Sequence, residues 1–411
     1  MRMIHKMGVN NQMINRYLSV EIISLLVVLT FMLSGCSLPI RQSAVPQQLT
    51  EQAEVVGLPG VRYVVRAEMP GFTRDAMESY YREQAYLVQQ KQAGPMSPAN
   101  FLALSGGGDN GAFGAGFLSG WTATGNRPEF KGVTGISTGA LIAPFAFLGP
   151  KYDIPLKEVF TRSAPKDIWE ARYFLAAVFN DAMADNAPLA RLLKKYVTED
   201  MLKEIAREDA KGRVLMIATT NLDAHQAVIW NMGKIAANGH PQALELFRKI
   251  MLASAAIPGT FPPVMIDVEA NGQRYQEMHV DGGATAQVFI YPPALKLAEL
   301  SKQHGVVRER RLYLIRNARL DPDWAEVERR TLSIAGRAIN SLIQSQGVGD
   351  LYKIYAETQR DGIDFNLAYI PRSFNAPHKE EFDTEYMGKL FQIGYDLAVK
   401  GYRWDKTPPG L

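Results

Sequence analysis

The sequence has one cysteine, Cys36, among 411 residues, so no internal disulfide can support the fold and the core must rest on packing alone. It also lacks any apolar run approaching the roughly 20 residues that a membrane-spanning helix requires. There is no internal repeat and no low-complexity tract, which excludes collagen-like and disordered chains. No block of Lys and Arg is dense enough to follow a nucleic-acid backbone, and nucleic acid is not an expected partner. The formal charge of +3 is itself largely N-terminal: in residues 1–35 Arg2, Lys6 and Arg16 face only Glu21, and the remainder has 42 basic against 41 acidic residues. A surface so nearly neutral offers no electrostatic hold on a polyanion. What is left, at 47% hydrophobic and 21% charged, is globular material long enough for one large α/β domain with additions.

The lone cysteine has an informative setting. Basic residues precede the apolar stretch Ile22 to Leu33, which runs into Leu33-Ser34-Gly35-Cys36. As a helix that stretch would be roughly 18 Å long, short of the roughly 30 Å hydrocarbon core, so it reads as the apolar region of a secretory signal. Leu-Ser-Gly-Cys resembles the bacterial lipobox. The resemblance implies cleavage before Cys36, diacylation of its thiol and, usually, acylation of the new amine. Residues 1–35 are then a lipoprotein signal peptide, and Met13 is an alternative start that would give a signal of more usual length. Ser37 stands where an aspartate would favour the inner membrane, which points to a lipid-anchored protein of the outer membrane facing the periplasm.

Residues 36–97 are rich at first in Gln and Pro (Pro39, Pro46, Gln47, Gln48) and then helix-like from Thr73 to Gln92, as expected of a tether closed by an amphipathic helix. From Phe101 onward short apolar β-type runs alternate with helical stretches. Strands are predicted at Phe101 to Leu104, Lys131 to Ile136, Val214 to Thr219, Ala227 to Trp230, Met278 to Val280 and Leu312 to Arg316. The alternation predicts an α/β fold of three layers, α/β/α, with helices on both faces of a mostly parallel central sheet. Trp169 to Phe179 and Pro188 to Tyr196 read as two amphipathic helices placed to cover a site. A domain spanning 98–295 is followed by an α+β extension, 296–411. That extension has a helix near Arg329 to Gln344, a strand near Phe365 to Ile370 and a last helix near Tyr386 to Lys400.

Directly after the first strand, Gly106 to Gly111 satisfies G-x-G-x-x-G. A dinucleotide site would need an acidic residue about twenty positions on, at the end of the second strand. That strand delivers Ser137 instead, and Glu129 stands before it. A P-loop fails at Ala112, where lysine should follow the last glycine. The loop's amides must therefore face a different negative charge. Gly135 to Gly139, Gly-Ile-Ser-Thr-Gly, is a G-x-S-x-G at a strand-to-helix junction, the pattern of a nucleophile elbow, in which glycines make room for a serine on a tight, strained turn. The plainer alternative is Ser137 as N-cap of a helix from Thr138 to Leu148. A serine attacking an ester creates an oxyanion, which Gly106, Gly107 and Gly108 and a helix N-terminus near Asn110 can meet with fixed N–H groups. Gly114 and Gly116 would let that helix pack closely on the sheet.

A base is also needed. Of six histidines, His5 leaves with the signal, and His225, His240, His304 and His378 lie in no catalytic context. His279 sits in His-Val-Asp-Gly-Gly, two residues before Asp281 and on the same side of a strand, so either could take the proton. The alternative for Asp281-Gly282-Gly283 is a plain turn. Three ordered motifs, Gly106 to Gly111, Gly135 to Gly139 and Asp281 to Gly283, together resemble the patatin-like phospholipases over roughly residues 99 to 295. Ala253 to Val264 also resembles the family's segment ahead of the aspartate.

The resemblance implies a Ser137–Asp281 dyad without histidine, an acyl-serine intermediate, and phospholipase A or lysophospholipase chemistry on a lipid ester, with neither metal nor cofactor. Gly111, Gly135, Gly139, Gly282 and Gly283 then support the motifs. The sequence departs from the family at Asn110, where Arg or Lys is common. The same dyad would serve an acyltransferase or thioesterase, and Asn110 is the residue that would suit a non-catalytic scaffold of this fold.

Overall fold

The computed structural model describes residues 41–92, 94–171 and 181–411. Cys36 and its signal lie outside them, as does most of the helix expected over Trp169 to Phe179. The first half of the chain gives β1 (Glu54–Val55), β2 (Arg62–Val64), α1 (Pro70–Gln89), β3 (Ala99–Leu104), α2 (Gly111–Ala123), β4 (Gly132–Gly135), α3 (Thr138–Leu148), α4 (Asp153–Arg162) and α5 (Pro165–Ile168). A small hairpin, β5 (Glu170–Ala171) and β6 (Ala184–Asp185), precedes α6 (Ala187–Tyr196), α7 (Glu199–Ala210), β7 (Val214–Asn221) and β8 (Gln226–Asn231). Then follow α8 (Met232–Ala237), α9 (Ala243–Ser254), β9 (Val264–Ala270), β10 (Gln273–Asp281), α10 (Leu297–Gln303), β11 (Arg310–Arg316), α11 (Thr331–Asp361), β12 (Asp364–Tyr369) and α12 (Thr384–Val399).

Ten strands form one sheet in the order β1-β9-β10-β7-β4-β3-β11-β12, with β8 on β7 and β2 on β8. Its centre, β7-β4-β3-β11-β12, is parallel throughout. These are the apolar runs of the sequence, and alternate residues serve opposite layers. Leu102 and Leu104 of β3 and Leu215 and Ile217 of β7 join a core with α2, α3, α4, α9 and α12. Ala103, Met216 and Leu314 join a core on the other face with Phe72 of α1 and Leu351 and Ile354 of α11. Burial on both faces is what continuous apolar strands require. The α/β/α layering and the parallel centre are thus as expected. β10, β9, β8, β1 and β2 extend the sheet through antiparallel pairs.

The structure differs from the sequence reading in three places. Residues 53–89 are no tether: β1 and β2 pair into the sheet, and Ala53, Val55, Leu58 and Val61 are buried in the core. No boundary falls at 295, because β11 pairs with β3 and carries β12 beyond it. Gly116 packs on α12 and not on the sheet: a Cβ there would stand 2.0 Å from the Phe391 carbonyl oxygen, so glycine lets the two helices touch backbone to backbone.

Candidate active site

The sheet register brings two strand ends head to head. β4 runs along one edge of β7 and stops at Gly135, opposite Ile217. β10 runs the other way along that edge and stops at Asp281, opposite Thr219. One residue, Ala218, separates the two positions, about 7 Å of strand. Ser137, just past β4, and Asp281 therefore share a corner above the sheet.

Ser137 has φ 55° and ψ −126°, a conformation sparsely populated for any residue with a side chain, and caps α3. It is held there from three sides. A Cβ on Gly135 would lie 2.4 Å from the Gly139 carbonyl oxygen, and one on Gly139 would lie 2.2 Å from that of Leu104, so both glycines of G-x-S-x-G are obligatory. The Ser137 N–H donates to Ser254 Oγ at 3.0 Å, and that hydroxyl donates to the Ala218 carbonyl at 2.7 Å. Two residues on, the Ala256 carbonyl accepts the Asp281 N–H at 2.9 Å. The last residue of α9 and the segment after it thus fix both strand ends, and Ser254 is a site residue that sequence reasoning missed.

Asp281 is buried beside Ser137. Burial pushes its carboxyl up to about 7, against the opposing influence of Ser137 and of the Gly283 N–H, which lies 2.7 Å from Oδ1. Gly282 and Gly283 form the tight turn that supplies this donor.

His279 is fully buried and engaged elsewhere. Its Nε2 lies 3.0 Å from Glu277 Oε2 and its Nδ1 2.8 Å from Thr219 Oγ1. Trp230 Nε1 donates to that hydroxyl at 2.8 Å, leaving the hydroxyl proton for Nδ1 and placing the ring proton on Nε2. Burial lowers the imidazole's pKa, and the ring belongs to a structural network with Glu277 and Arg62. Against the upward push of its own burial, Glu277 is held at about 2 by its bond to His279 and by the Arg62 guanidinium.

The glycine loop needs one correction. The Gly106 N–H is occupied, donating to the Gln287 carbonyl at 3.0 Å, and cannot face an oxyanion. Among the described residues no acceptor is bonded to the N–H groups of Gly107, Gly108 or, at the first turn of α3, Thr138. The N-termini of α2 and α3 add positive potential nearby. Gly107 has φ 157° and ψ 10°, and a Cβ there would strike the Asn317 carbonyl oxygen at 2.1 Å.

Residues of the C-terminal third hold this loop. Asn317 Nδ2 donates to the Ser105 carbonyl at 2.8 Å, and its Oδ1 accepts from the Gly114 N–H at 3.0 Å. Gln287 Nε2 donates to the Gly283 carbonyl at 2.8 Å and to Gln346 of α11 at 3.0 Å, and its N–H donates to Asp350 at 2.6 Å. Asn110, which departs from the family pattern, accepts from the Tyr386 hydroxyl at 2.6 Å. Gly111 opens α2 beside Thr138. Asp109 accepts from His378 Nε2 at 2.7 Å and from the Phe382 N–H at 3.0 Å. With Glu381 these two are the one group among the described residues whose ligand atoms come together closely enough for a metal, yet the Asp109 oxygen there already ties the loop to residues 378–382.

Beside Ser137 lies a narrow apolar cavity. Gly108, Asp109, Ser137 and Thr138 form its polar end, and Leu141, Phe145, Leu189, Leu193, Met251 and Phe261 its wall. The second of the two expected covering helices, α6, contributes to that wall; of the first, residues 169–171 are extended or strand, and the rest lie outside the described residues.

A strained serine beside a buried carboxylate, backbone amides without acceptors among the described residues and an apolar cavity thus meet at one corner of an α/β fold. Residues 102–293 match the family model described as patatin-like phospholipase, and these residues are a patatin-like phospholipase domain. No curated protein sequence matches the chain. Solved structures similar to it include VipD from Legionella pneumophila, 12% identical over 74% of this chain and 66% of that one, with a TM-score of 0.36. Human GIVD cytosolic phospholipase A2 is 8% identical over 76% of this chain and 55% of that one, with a TM-score of 0.32. The chain spans less than two thirds of the length of either.

Proposed function

We propose that the protein is a lipid acyl hydrolase that works through Ser137 and Asp281. The observation that carries this reading is the Ser137 hydroxyl, in a strained turn at the mouth of an apolar cavity, beside a carboxylate whose burial raises it to about 7. The family match supports it. A base poised near neutrality balances the fraction ionised against the drive to take a proton.

In the acylation step Asp281 accepts the hydroxyl proton as Ser137 Oγ bonds to the ester carbonyl carbon. The carbonyl oxygen becomes the oxyanion and faces the amides of Gly107, Gly108 and Thr138. Collapse breaks the bond to the alcohol, which leaves with the proton from Asp281, and the acyl chain remains on Ser137 with its tail in the apolar cavity. Water then attacks, Asp281 takes its proton and returns it to Ser137 Oγ, and a fatty acid leaves. Each oxyanion donor of this kind typically lowers the barrier by about 2.7 to 4 kcal/mol.

Incubation with a mixture of phospholipid and lysophospholipid should release free fatty acid. Transfer of the acyl group to an added lysolipid with no net release would assign a transferase. No turnover of any ester, with Ser137 unreactive, would assign a scaffold. We further propose that Cys36 is acylated and anchors the chain at the outer membrane, which would place the site beside its substrate.

A further inference from the structure

Helix α11 changes character midway. Leu351 and Ile354 in its C-terminal half are buried against the sheet. In residues 331–346, at about 100° per residue, Ile334, Ala338, Ile339, Leu342 and Ile343 fall on one half of the circumference, together with Thr331, Ser345 and Gln346, and Ser333, Arg337, Asn340 and Gln344 fall on the other. A packed helix turns its apolar residues inward; in this segment it is Arg337 and Gln344 that bond inward while the large apolar residues do not. Arg337 donates to the Asp323 carbonyl. Gln344 donates to the carbonyls of Arg319 and Leu320 at 3.1 and 3.2 Å and accepts from Arg316 at 3.0 Å. The apolar half faces out, with Ile334 51%, Ile339 55% and Leu342 69% exposed. Trp324, 86% exposed, lies on the chain that leads into the helix.

The outward face has chemistry that selects its partner. Residues 331–349 contain no Asp, Glu or Lys, and their one Arg, Arg337, points inward. Arg329 and Arg330 are exposed at the N-terminal edge beside the equally exposed Asp323, Glu326 and Glu328, and Arg330 pairs with Glu328, so the rim offers no net positive charge and the apolar face itself must supply the contact. An exposed tryptophan at the rim of an uncharged, apolar helical face matches the layered polarity of a membrane surface. The inner side of the same helix walls a cavity that reaches Asn110 of the glycine loop.

We propose that Trp324 and the outward face of residues 334–343 dock on a fluid phospholipid bilayer and seat the active site at the lipid–water boundary. This rests on the lipid-ester reading above and adds the surface by which the protein meets its substrate.

The test uses the full chain and vesicles of phosphatidylcholine with a minor share of phosphatidylglycerol, with brominated acyl chains as quencher. The difference in emission between wild type and Trp324→Phe isolates that residue among five tryptophans. Its emission should be quenched by the brominated lipid, and the quenching should vanish in Ile339→Ser/Leu342→Ser. The double variant, changed only at exposed positions, should fold normally. It should release fatty acid from vesicles about tenfold more slowly, yet hydrolyse a monomeric short-chain ester within about twofold of wild type. Vesicle hydrolysis at the wild-type rate would overturn the proposal. So would a Trp324 already shielded from aqueous acrylamide without lipid, which would mean a second copy or another segment of the chain covers the face. If wild type hydrolyses neither ester, the catalytic reading fails, and quenching of Trp324 alone then decides the docking.

Discussion

Replacing Asp281 with Asn removes a charge that the fold holds at a cost. A carboxyl lifted from an ordinary 3.8 to about 7 binds its proton more tightly in the folded chain than in the unfolded one. The folded state therefore loses stability as pH rises from about 4 to about 7, and the loss levels off above that. At roughly 1.4 kcal/mol per unit over that interval, the ionised group costs about 4 kcal/mol at pH 8. Asn keeps the shape and an acceptor for the Gly283 N–H, which now lies 2.7 Å from Oδ1. Asp281→Asn and wild type should thus be about equally stable near pH 4. At pH 8 the variant should be more stable by up to about 4 kcal/mol, as read from urea unfolding at a series of pH values. The variant should release no fatty acid, while wild-type turnover should climb as pH rises through about 7, because only the ionised carboxylate can take the serine proton. A stability gap that does not change between pH 4 and pH 8, or a variant less stable than wild type at pH 8, would refute the reasoning.

Gly107→Ala should lose activity and soluble yield, since its Cβ would lie 2.1 Å from the Asn317 carbonyl oxygen, whereas a Cβ on Gly108 meets nothing within 4 Å. Gly108→Ala, at φ 58°, should fold at a cost of about 1–2 kcal/mol and lower kcat more than it raises KM in steady-state kinetics on a soluble ester. Asn317→Ala leaves the Ser105 carbonyl and the Gly114 N–H buried without partners, and should lower the free energy of urea unfolding by about 2–4 kcal/mol; a loss below about 0.5 kcal/mol would count against the loop's dependence on it. Cys36→Ala should abolish incorporation of labelled palmitate in cells, and continued uptake would remove the lipobox reading.

The parallel centre of the sheet was legible because Phe101 to Leu104 and Val214 to Thr219 are unbroken apolar runs, and these are buried on both faces. β9, Val-Met-Ile-Asp-Val-Glu-Ala, escaped notice because its acids break the run; it alternates between buried and exposed residues, as an antiparallel strand with one solvated face does. β1 and β2, of two and three residues, are too short to carry a period. Ser137 and Asp281 stood out because close backbone approach demands glycines beside them, and glycine clusters can be seen in a sequence. Ser254, Gln287 and Asn317 could not be found that way. Each acts through contacts with distant chain, Asn317 on Ser105 across 212 positions, and a lone serine or amide in an ordinary segment has no local pattern. The role of Gly106 was misread for the same reason: its amide is turned to Gln287, and the direction of one N–H is set by tertiary register.

The central claim is that Ser137 is the nucleophile and Asp281 its base. A fluorophosphonate probe phosphonylates an activated serine, and peptide mass spectrometry locates the adduct. In wild type at pH 8 the adduct should fall on Ser137 alone; Ser137→Ala should remain unlabelled, and Asp281→Asn, though folded, should label at least about a hundredfold more slowly. Labelling of Asp281→Asn at the wild-type rate, or an adduct on a different serine, would contradict the account.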